Sequence, residues 1–305
     1  MLDAIAGNET VVLDGGLSTA LEEQGATVDG ALWTARLLAE EPQRIVAAHS
    51  SFFLAGAMVA TTASYQASLD GLLAAGYSAG EAGRLITLSV TLAQQARDDV
   101  ADSHPGGLVA ASVGPYGAFL ADGSEYTGRY GVPSSRLRDF HAPRLELLAE
   151  AGPDLLAVET IPDVDEAEVL VALLDDIGLP AWFSYSVRDT TTSAGQPLAD
   201  AYSVLSGSRS LVAAGVNCSE QTDVLPAIVA AVSTTGLPAV AYPNRGGEWN
   251  SRDKTWVYGE PLDLALVEPW LEAGARFVGG CCGTGPADVA ALSRHVELLH
   301  PLTGP

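Results

Sequence analysis

Eight short apolar runs, each closing on glycine, small or polar residues, recur along this chain with helix-periodic segments between them. That alternation restricts the fold more than any other feature. The runs are 11–13, 57–60, 108–111, 155–158, 181–186, the run from 211 that ends before Cys218, 238–242 and 275–278. Strands that are apolar almost without interruption are buried on both faces, as in a parallel sheet covered by helices. Between them, helical periodicity marks 42–54, 79–100, 135–151, 164–174, 220–235, 262–273 and 286–299, with 199–206 as a weaker eighth. Ser78 and Asp163 stand where N-caps belong, and Pro286 stands near a first helical position. Eight such units predict an α/β fold, a single (β/α)8 TIM barrel occupying 1–305 as one domain, with functional residues where strands end. An open doubly wound sheet fits less well. The first run closes on Asp14-Gly15-Gly16-Leu17-Ser18-Thr19, which is no G-x-G-x-x-G phosphate fingerprint.

Composition narrows the function classes. A hydrophobic fraction of 48% and mean hydropathy of +0.20 suffice for one sizeable core. The formal net charge of −23 sets the field against nucleic acid and anionic membranes as main partners. The N-terminus has no basic, then apolar, leader pattern. The longest apolar stretch, around 52–60, is broken by Gly56 and falls far short of the roughly 20 residues of a membrane span. A cytoplasmic chain with reduced thiols is the expectation. A disulfide framework is not expected, since the cysteine count is odd and the chain long.

The cysteines carry the chemistry. Cys281 and Cys282 lie in Gly279-Gly280-Cys281-Cys282-Gly283-Thr284, just past the eighth run, and Cys218 lies just past the sixth. Consecutive strand residues point to opposite faces, so two adjacent thiols can serve one centre only if the pleat breaks there. Glycine supplies such a break, through positive φ or close backbone approach. Cys218 alone could be a small buried hydrophobe; the Cys-Cys pair is harder to explain by packing. Three strand-end thiols suggest a three-thiolate site suited to Zn²⁺, with a fourth position open. Zinc so ligated already carries formal charge −1, which suits it to hold a substrate thiol as thiolate rather than to make hydroxide. The other strand-end residues are Asp14-Gly15-Gly16, Tyr65, Gly114, Glu159, Asn217 and Asn244. Two long connections, 114–133 and 243–261, are rich in aromatics, which either pin the loops to the rim or face substrate.

Rival chemistries find less support. A phosphate-binding aldolase or isomerase could use Gly246-Gly247 and Gly279-Gly280. A Schiff-base aldolase, however, needs a strand-end lysine, and the single lysine, Lys254, is in a loop. A zinc hydrolase would place histidines at strand ends, whereas His49, His104, His141, His295 and His300 all fall in helical segments or connections. A non-catalytic zinc- and thiol-binding protein stays open.

Taken together, Asp14-Gly15-Gly16, Leu32-Trp33, Thr62-Ala63-Ser64-Tyr65-Gln66, Gly114-Pro115-Tyr116-Gly117-Ala118, Ala121-Asp122-Gly123-Ser124-Glu125-Tyr126, Glu159-Thr160-Ile161-Pro162, Asn217-Cys218, Tyr242-Pro243-Asn244 and Gly279-Gly280-Cys281-Cys282-Gly283 resemble the homocysteine S-methyltransferase family. The similarity is to its S-methylmethionine- or S-adenosylmethionine-using branch, from about residue 11 to about residue 299. The resemblance implies that Cys218, Cys281 and Cys282 bind zinc and that the thiol of L-homocysteine takes the fourth place. It implies that Glu159 pairs with the substrate ammonium and that the turn at Asp14, Gly15 and Gly16 offers backbone groups to the amino-acid end. Asn217 would support the site, and Tyr65 would lie where sulfur and methyl donor meet. The chain lacks the C-terminal dimerisation segment of betaine-using relatives, which implies a monomer. The 116–130 loop, with Asp122 and Glu125, is expected to close over a cationic donor.

Overall fold

The computed structural model describes residues 9–28, 33–250, 255–259 and 261–299, and within these the side chains of all but 33–35, 247–250 and 255–258. Eight parallel strands follow one another around a barrel: β1 Val11–Val12, β2 Val59–Thr61, β3 Leu108–Val113, β4 Leu155–Ile161, β5 Ala181–Tyr185, β6 Leu211–Asn217, β7 Ala239–Tyr242 and β8 Ala275–Val278. Each pairs with its neighbours in sequence, and β1 pairs with β8 through Val11↔Phe277. A parallel bridge between Leu13 and Val59 joins the first two strands and closes the ring. The structure is thus the single (β/α)8 barrel that the strand pattern predicts.

Two apolar layers follow from the period of two. Leu13, Val59, Ala110, Leu155, Ala157, Trp182, Ala213, Val240, Tyr242 and Phe277 fill the barrel interior. The alternate side chains meet the surrounding helices in a larger cluster. Inside, three rings sit among alanines, large against small, as a filled barrel requires. The Trp182 indole donates to the Tyr242 hydroxyl at 3.0 Å, so the plug also carries a polar handle toward the mouth.

The helices start where the sequence puts caps. Ser78 and Glu81 form a capping box on Ala79–Asp99, and the Asp163 side chain caps Val164–Ile177. Short helices at Leu17–Glu23, Trp33–Glu40, Leu69–Ala74 and Tyr116–Leu120 were not expected. They are too brief to show a period. No helix among the described residues is long and apolar enough to cross a membrane.

The connection after β3 is folded, not loose. It contains the helix Tyr116–Leu120 and a 3-10 turn, Ser124–Tyr126. Tyr116 and Phe119 pack on Phe140 and Tyr130 packs on Tyr116, with ring centroids 4.9 to 5.6 Å apart for the contacting pairs, so these aromatics pin the loop. Beneath them lies buried Glu166, at the start of the helix after β4. Its Oε1 accepts from the Tyr116 amide at 2.6 Å and from His141 Nε2 at 2.7 Å, and its Oε2 from the Tyr130 hydroxyl at 2.9 Å. Arg144 donates to His141 Nδ1, which fixes the Nε2–H tautomer, and also to the Gly114 carbonyl. Burial, with the Arg144 charge beside it, pushes the His141 pKa down to about 4, so the ring stays neutral. Glu166→Ala would strip three buried donors of their acceptor and leave Arg144 uncompensated. A loss of about 3–5 kcal/mol in urea unfolding is expected.

Candidate functional site

The mouth of the barrel gathers the strand ends. After β8, Gly279 passes so close to β1 that a Cβ there would stand 2.7 Å from the Leu13 Cβ and 2.9 Å from the Asp14 carbonyl oxygen. Glycine is needed at this position because the chain crosses its own neighbour, not because of positive φ, which appears later at Gly283. The turn is then tied down by its amides. Cys281 N donates to the Pro243 carbonyl at 2.8 Å, Cys282 N to Asn244 Oδ1 at 3.2 Å, Gly283 N to Thr19 Oγ1 at 3.1 Å and Thr284 N to the Cys281 carbonyl at 3.1 Å. With every amide from 281 to 284 engaged, the two thiols hang from a fixed turn.

Cys218 reaches the same place through an unusual backbone. It takes φ 46°, in the left-handed region that non-glycine residues seldom enter. The sulfurs of Cys218, Cys281 and Cys282 all lie within 4.8 Å of one another. Tetrahedral ligation with Zn–S bonds near 2.3 Å places sulfurs roughly 3.8 Å apart, so three sulfurs gathered this closely form a donor set that could serve one such ion. Cys218 and Cys281 are in disulfide contact and Cys282 is a free thiol, which departs from the expected three free thiols. The pairing lies within the cluster and joins the ends of β6 and β8, 63 residues apart in sequence. Two sulfurs directed at one point meet each other by the same geometry that would bring both to a shared ion.

A second strained residue sits one strand away. The pairing of β4 with β5 slips between Val158 and Ile161, opposing three steps on β4 with two on β5, and Thr160 within this bulge has φ 61°. A β-branched residue there is a conformational outlier that its surroundings must impose. Asn217 imposes it: Oδ1 accepts from the Thr160 amide at 2.7 Å and Nδ2 donates to Thr160 Oγ1 at 2.8 Å, both bonds being buried. The bulge leaves the Glu159 carboxylate at the mouth, where Ser112 Oγ donates to Oε1 and the Tyr242 hydroxyl donates to Oε2 at 3.1 Å. Tyr65 has its ring over Gly114, where a Cβ would be 2.7 Å from ring atoms, and shares a hydrogen bond with Thr160.

Asp14 is buried beside this group. Thr61 donates to it through its amide at 2.6 Å and its hydroxyl at 2.9 Å. The amides of Asp14 and Gly16 are bonded to the Val59 and Thr284 carbonyls. The turn offers the mouth the Asp14 carboxylate, and Gly15 and Gly16 provide room for Thr284 and Cys281.

Burial dominates the electrostatics. It raises the Asp14 pKa to about 8, with the Glu159 charge adding to the effect, and raises Glu159 to about 7 against the hydrogen bonds from Ser112 and Tyr242. Burial likewise pushes the Cys282 thiol up to about 11, helped by Glu159, Glu125 and Glu22. Every charge that moves these groups is acidic. Among these residues Asp14, Glu159, Asn217, Tyr65 and the cysteines were visible in the sequence. Ser112, Thr61, Thr160 and Tyr242 were not assigned roles; a hydroxyl next to a strand end carries no pattern of its own. Leu32 lies outside the described residues, as does the Trp33 side chain.

Comparison with known proteins places this geometry. The family described as homocysteine S-methyltransferase matches residues 11–296. The homocysteine S-methyltransferase YbgG of Bacillus subtilis is 41% identical over 299 residues, covering 95% of each chain. The homocysteine S-methyltransferase of Escherichia coli is 44% identical over 292 residues, covering 93% of this chain and 94% of its own. Crystal structures of the homocysteine methyltransferase MmuM from Escherichia coli superpose with a TM-score of 0.86 in the metallated form and 0.84 in the oxidized form. Both are 41% identical, the first covering 94% of this chain and 96% of that one, the second 93% and 95%.

The Asn217–Thr160 clamp has a separable signature. Asn217→Ala should destabilise the fold by about 1–3 kcal/mol, because the buried Thr160 amide and hydroxyl lose their partner. Adding Thr160→Gly should recover part of the loss, since glycine enters positive φ freely. Denaturant unfolding of the two single variants and the double variant measures the coupling.

Proposed function

The chain belongs to the homocysteine S-methyltransferase family, and from that premise we propose that it transfers a methyl group from a sulfonium donor, S-methylmethionine or S-adenosylmethionine, to the thiol of L-homocysteine, giving methionine. The observation that carries this reading is the convergence of three cysteine sulfurs within 4.8 Å, beside two buried carboxylates. Cys218, Cys281 and Cys282 would hold zinc. When bound, that ion supplies the positive charge that keeps a substrate thiol ionised near neutral pH, where a free thiol with pKa near 8.5 is mostly protonated.

The protein's own groups do the rest. Glu159 and Asp14 pair with the ammonium of homocysteine and so fix its sulfur relative to the cysteines. Ser112, Tyr242 and Thr61 hold those carboxylates in place. Asn217 keeps the bulge from which Glu159 projects, and Tyr65 presents a ring where the donor approaches. Displacement at the methyl carbon needs no protein nucleophile. Alignment of sulfur, methyl and leaving thioether accounts for the rate, and orientation alone can be worth roughly 7–11 kcal/mol. A monomeric, cytoplasmic enzyme of one catalytic domain is the companion reading.

The deciding experiment measures methionine formed from homocysteine with S-methylmethionine, S-adenosylmethionine and betaine in parallel, on protein whose zinc has been counted. Turnover with a sulfonium donor, abolished by Cys282→Ser together with loss of bound zinc, is expected. Zinc and thiol binding without turnover would make the chain a binding protein. The pH dependence follows from the carboxylates. Ammonium recognition needs them ionised, and Glu159 and Asp14 titrate near 7 and 8. Homocysteine kcat/KM should therefore level off above about 8, fall by about tenfold per unit between about 8 and about 7 as Asp14 takes up a proton, and fall by about a hundredfold per unit below about 7, where Glu159 takes up a second. Glu159→Gln should lower kcat/KM by about 10- to 100-fold and flatten the lower part of the profile.

A further inference from the structure

The loop after β3 carries a carboxylate that the homocysteine site does not use. Glu125 lies in the 3-10 turn Ser124–Tyr126, and its main chain is seated on Gly117, where a Cβ would stand 2.7 Å from the Glu125 Cα. Backbone packing, rather than any bond made by the side chain, thus fixes the residue. Its Oε2 is buried and has no hydrogen-bond partner among the described residues. Such an atom is costly to leave unsatisfied, more so on a charged group. A further buried atom without a partner among the described residues stands on the adjoining residue, Ser124 Oγ. The turn that carries Glu125 packs against β4, the strand that carries Glu159, which places it at the mouth, and its charge is felt by Tyr65 and Tyr126. Asp122, which the sequence pairs with it, behaves otherwise. It is exposed, and its Oδ1 accepts from the Ser124 amide at 2.9 Å, an ordinary local turn.

A buried acceptor without a donor calls for a ligand group that brings N–H bonds and positive charge. A sulfonium centre has no N–H; the α-ammonium of an amino-acid donor has three. We infer that Glu125 receives the α-ammonium of the methyl donor, with Tyr65 and Tyr126 flanking the donor's path to the thiol. This rests on the methyl-transfer reading and names a second ammonium site, apart from the Asp14–Glu159 pair that serves homocysteine. The ammonium stays charged throughout the reaction, so its binding energy is the same in ground and transition states. Such uniform binding acts on KM and leaves kcat alone.

The test compares the zinc-loaded enzyme with Glu125→Gln, Glu125→Asp and Asp122→Asn. For Glu125→Gln, the KM for S-methylmethionine should rise by roughly ten- to hundredfold, with kcat, homocysteine KM and zinc content unchanged. Inhibition by methionine, which keeps the ammonium but lacks the sulfonium, should weaken by a similar factor. Turnover with dimethylsulfoniopropionate, a sulfonium without an amino group, should not change. Glu125→Asp should lie between, and Asp122→Asn should match the unaltered enzyme. An unchanged donor KM in Glu125→Gln overturns the assignment, as does an equal loss with the amine-free donor. Calorimetric titration of S-methylmethionine into the unaltered protein and Glu125→Gln decides the point without turnover: tighter binding to the unaltered protein supports it, and equal or absent binding overturns it. Failure of the unaltered enzyme to form methionine despite that difference would count against the methyl-transfer reading alone.

Discussion

Burying acidic groups together at one end of a barrel is the constraint on which the rest of this structure depends. Three cysteine sulfurs, Asp14 and Glu159 share the mouth, and the charges that shift the titration of Asp14 and the Cys282 thiol are all acidic. The sign of the consequence is fixed. In an unfolded chain these carboxylates ionise near pH 4, whereas here they ionise near 7 and 8, so the fold loses stability as pH rises through that interval. Each unit of such a shift is about 1.4 kcal/mol. A cation beside the carboxylates or among the sulfurs reverses the sign, which couples folding of the mouth to what it binds. Thr61, Ser112 and Tyr242 temper the cost by donating hydrogen bonds to the charged forms.

Regular strands could not have brought these groups together. A pleated strand sends alternate side chains to opposite faces, and the site needs contributions that this period forbids. The chain breaks the period in three different ways. At 279–280, glycines let β8 pass against β1 and turn before Cys281. At Cys218 a non-glycine residue enters the left-handed region directly after β6. At Thr160 a bulge does the same inside β4, and here the enforcing group is identified, since both polar atoms of the Asn217 amide are spent on Thr160. Asn217 and Cys218 are adjacent, so one strand end supplies both a sulfur and the clamp that shapes the neighbouring strand. Strain of this kind persists only where surrounding contacts over-determine it, and all three breaks fall at the mouth.

The barrel was legible because it is written in repetition: eight apolar runs, caps at Ser78 and Asp163, helices long enough to show their period. The cysteines were legible for the opposite reason. They are rare, and two are adjacent between glycines. What escaped was everything that depends on a partner far away in the chain. Glu166 looks like a first-turn acid of an amphipathic helix, yet it sits beneath Tyr116 and Tyr130 and holds the loop above it. His141 falls in a helical segment with nothing in the sequence to mark it, yet its ring links Arg144 to Glu166. Asp122 and Glu125 look equivalent in sequence, three residues apart in one polar turn; only the fold shows that one caps Ser124 while the other turns a bare oxygen inward. Sequence patterns report local period and rarity. They do not report which of two carboxylates has been left without a donor.

That difference bears on which charges would matter for the proposed cationic donor. The whole chain carries −23, which favours the arrival of any cation. At physiological ionic strength, however, charges more than about 8 Å apart are largely screened, so most of that total acts on encounter and little on the bound state. A single carboxylate about 4 Å from an ammonium, at an effective dielectric of about 20, interacts with it by about 4 kcal/mol. One buried acid therefore outweighs the distributed surface charge once the donor is in place. The proposed methyl transfer would consume a positive and a negative charge and leave two neutral thioethers, so a mouth that bound its substrates by their ammonium groups would keep its grip unchanged through the reaction. Carboxylates aimed at the ammonium ends would hold both partners without stabilising the charge separation that the reaction must remove.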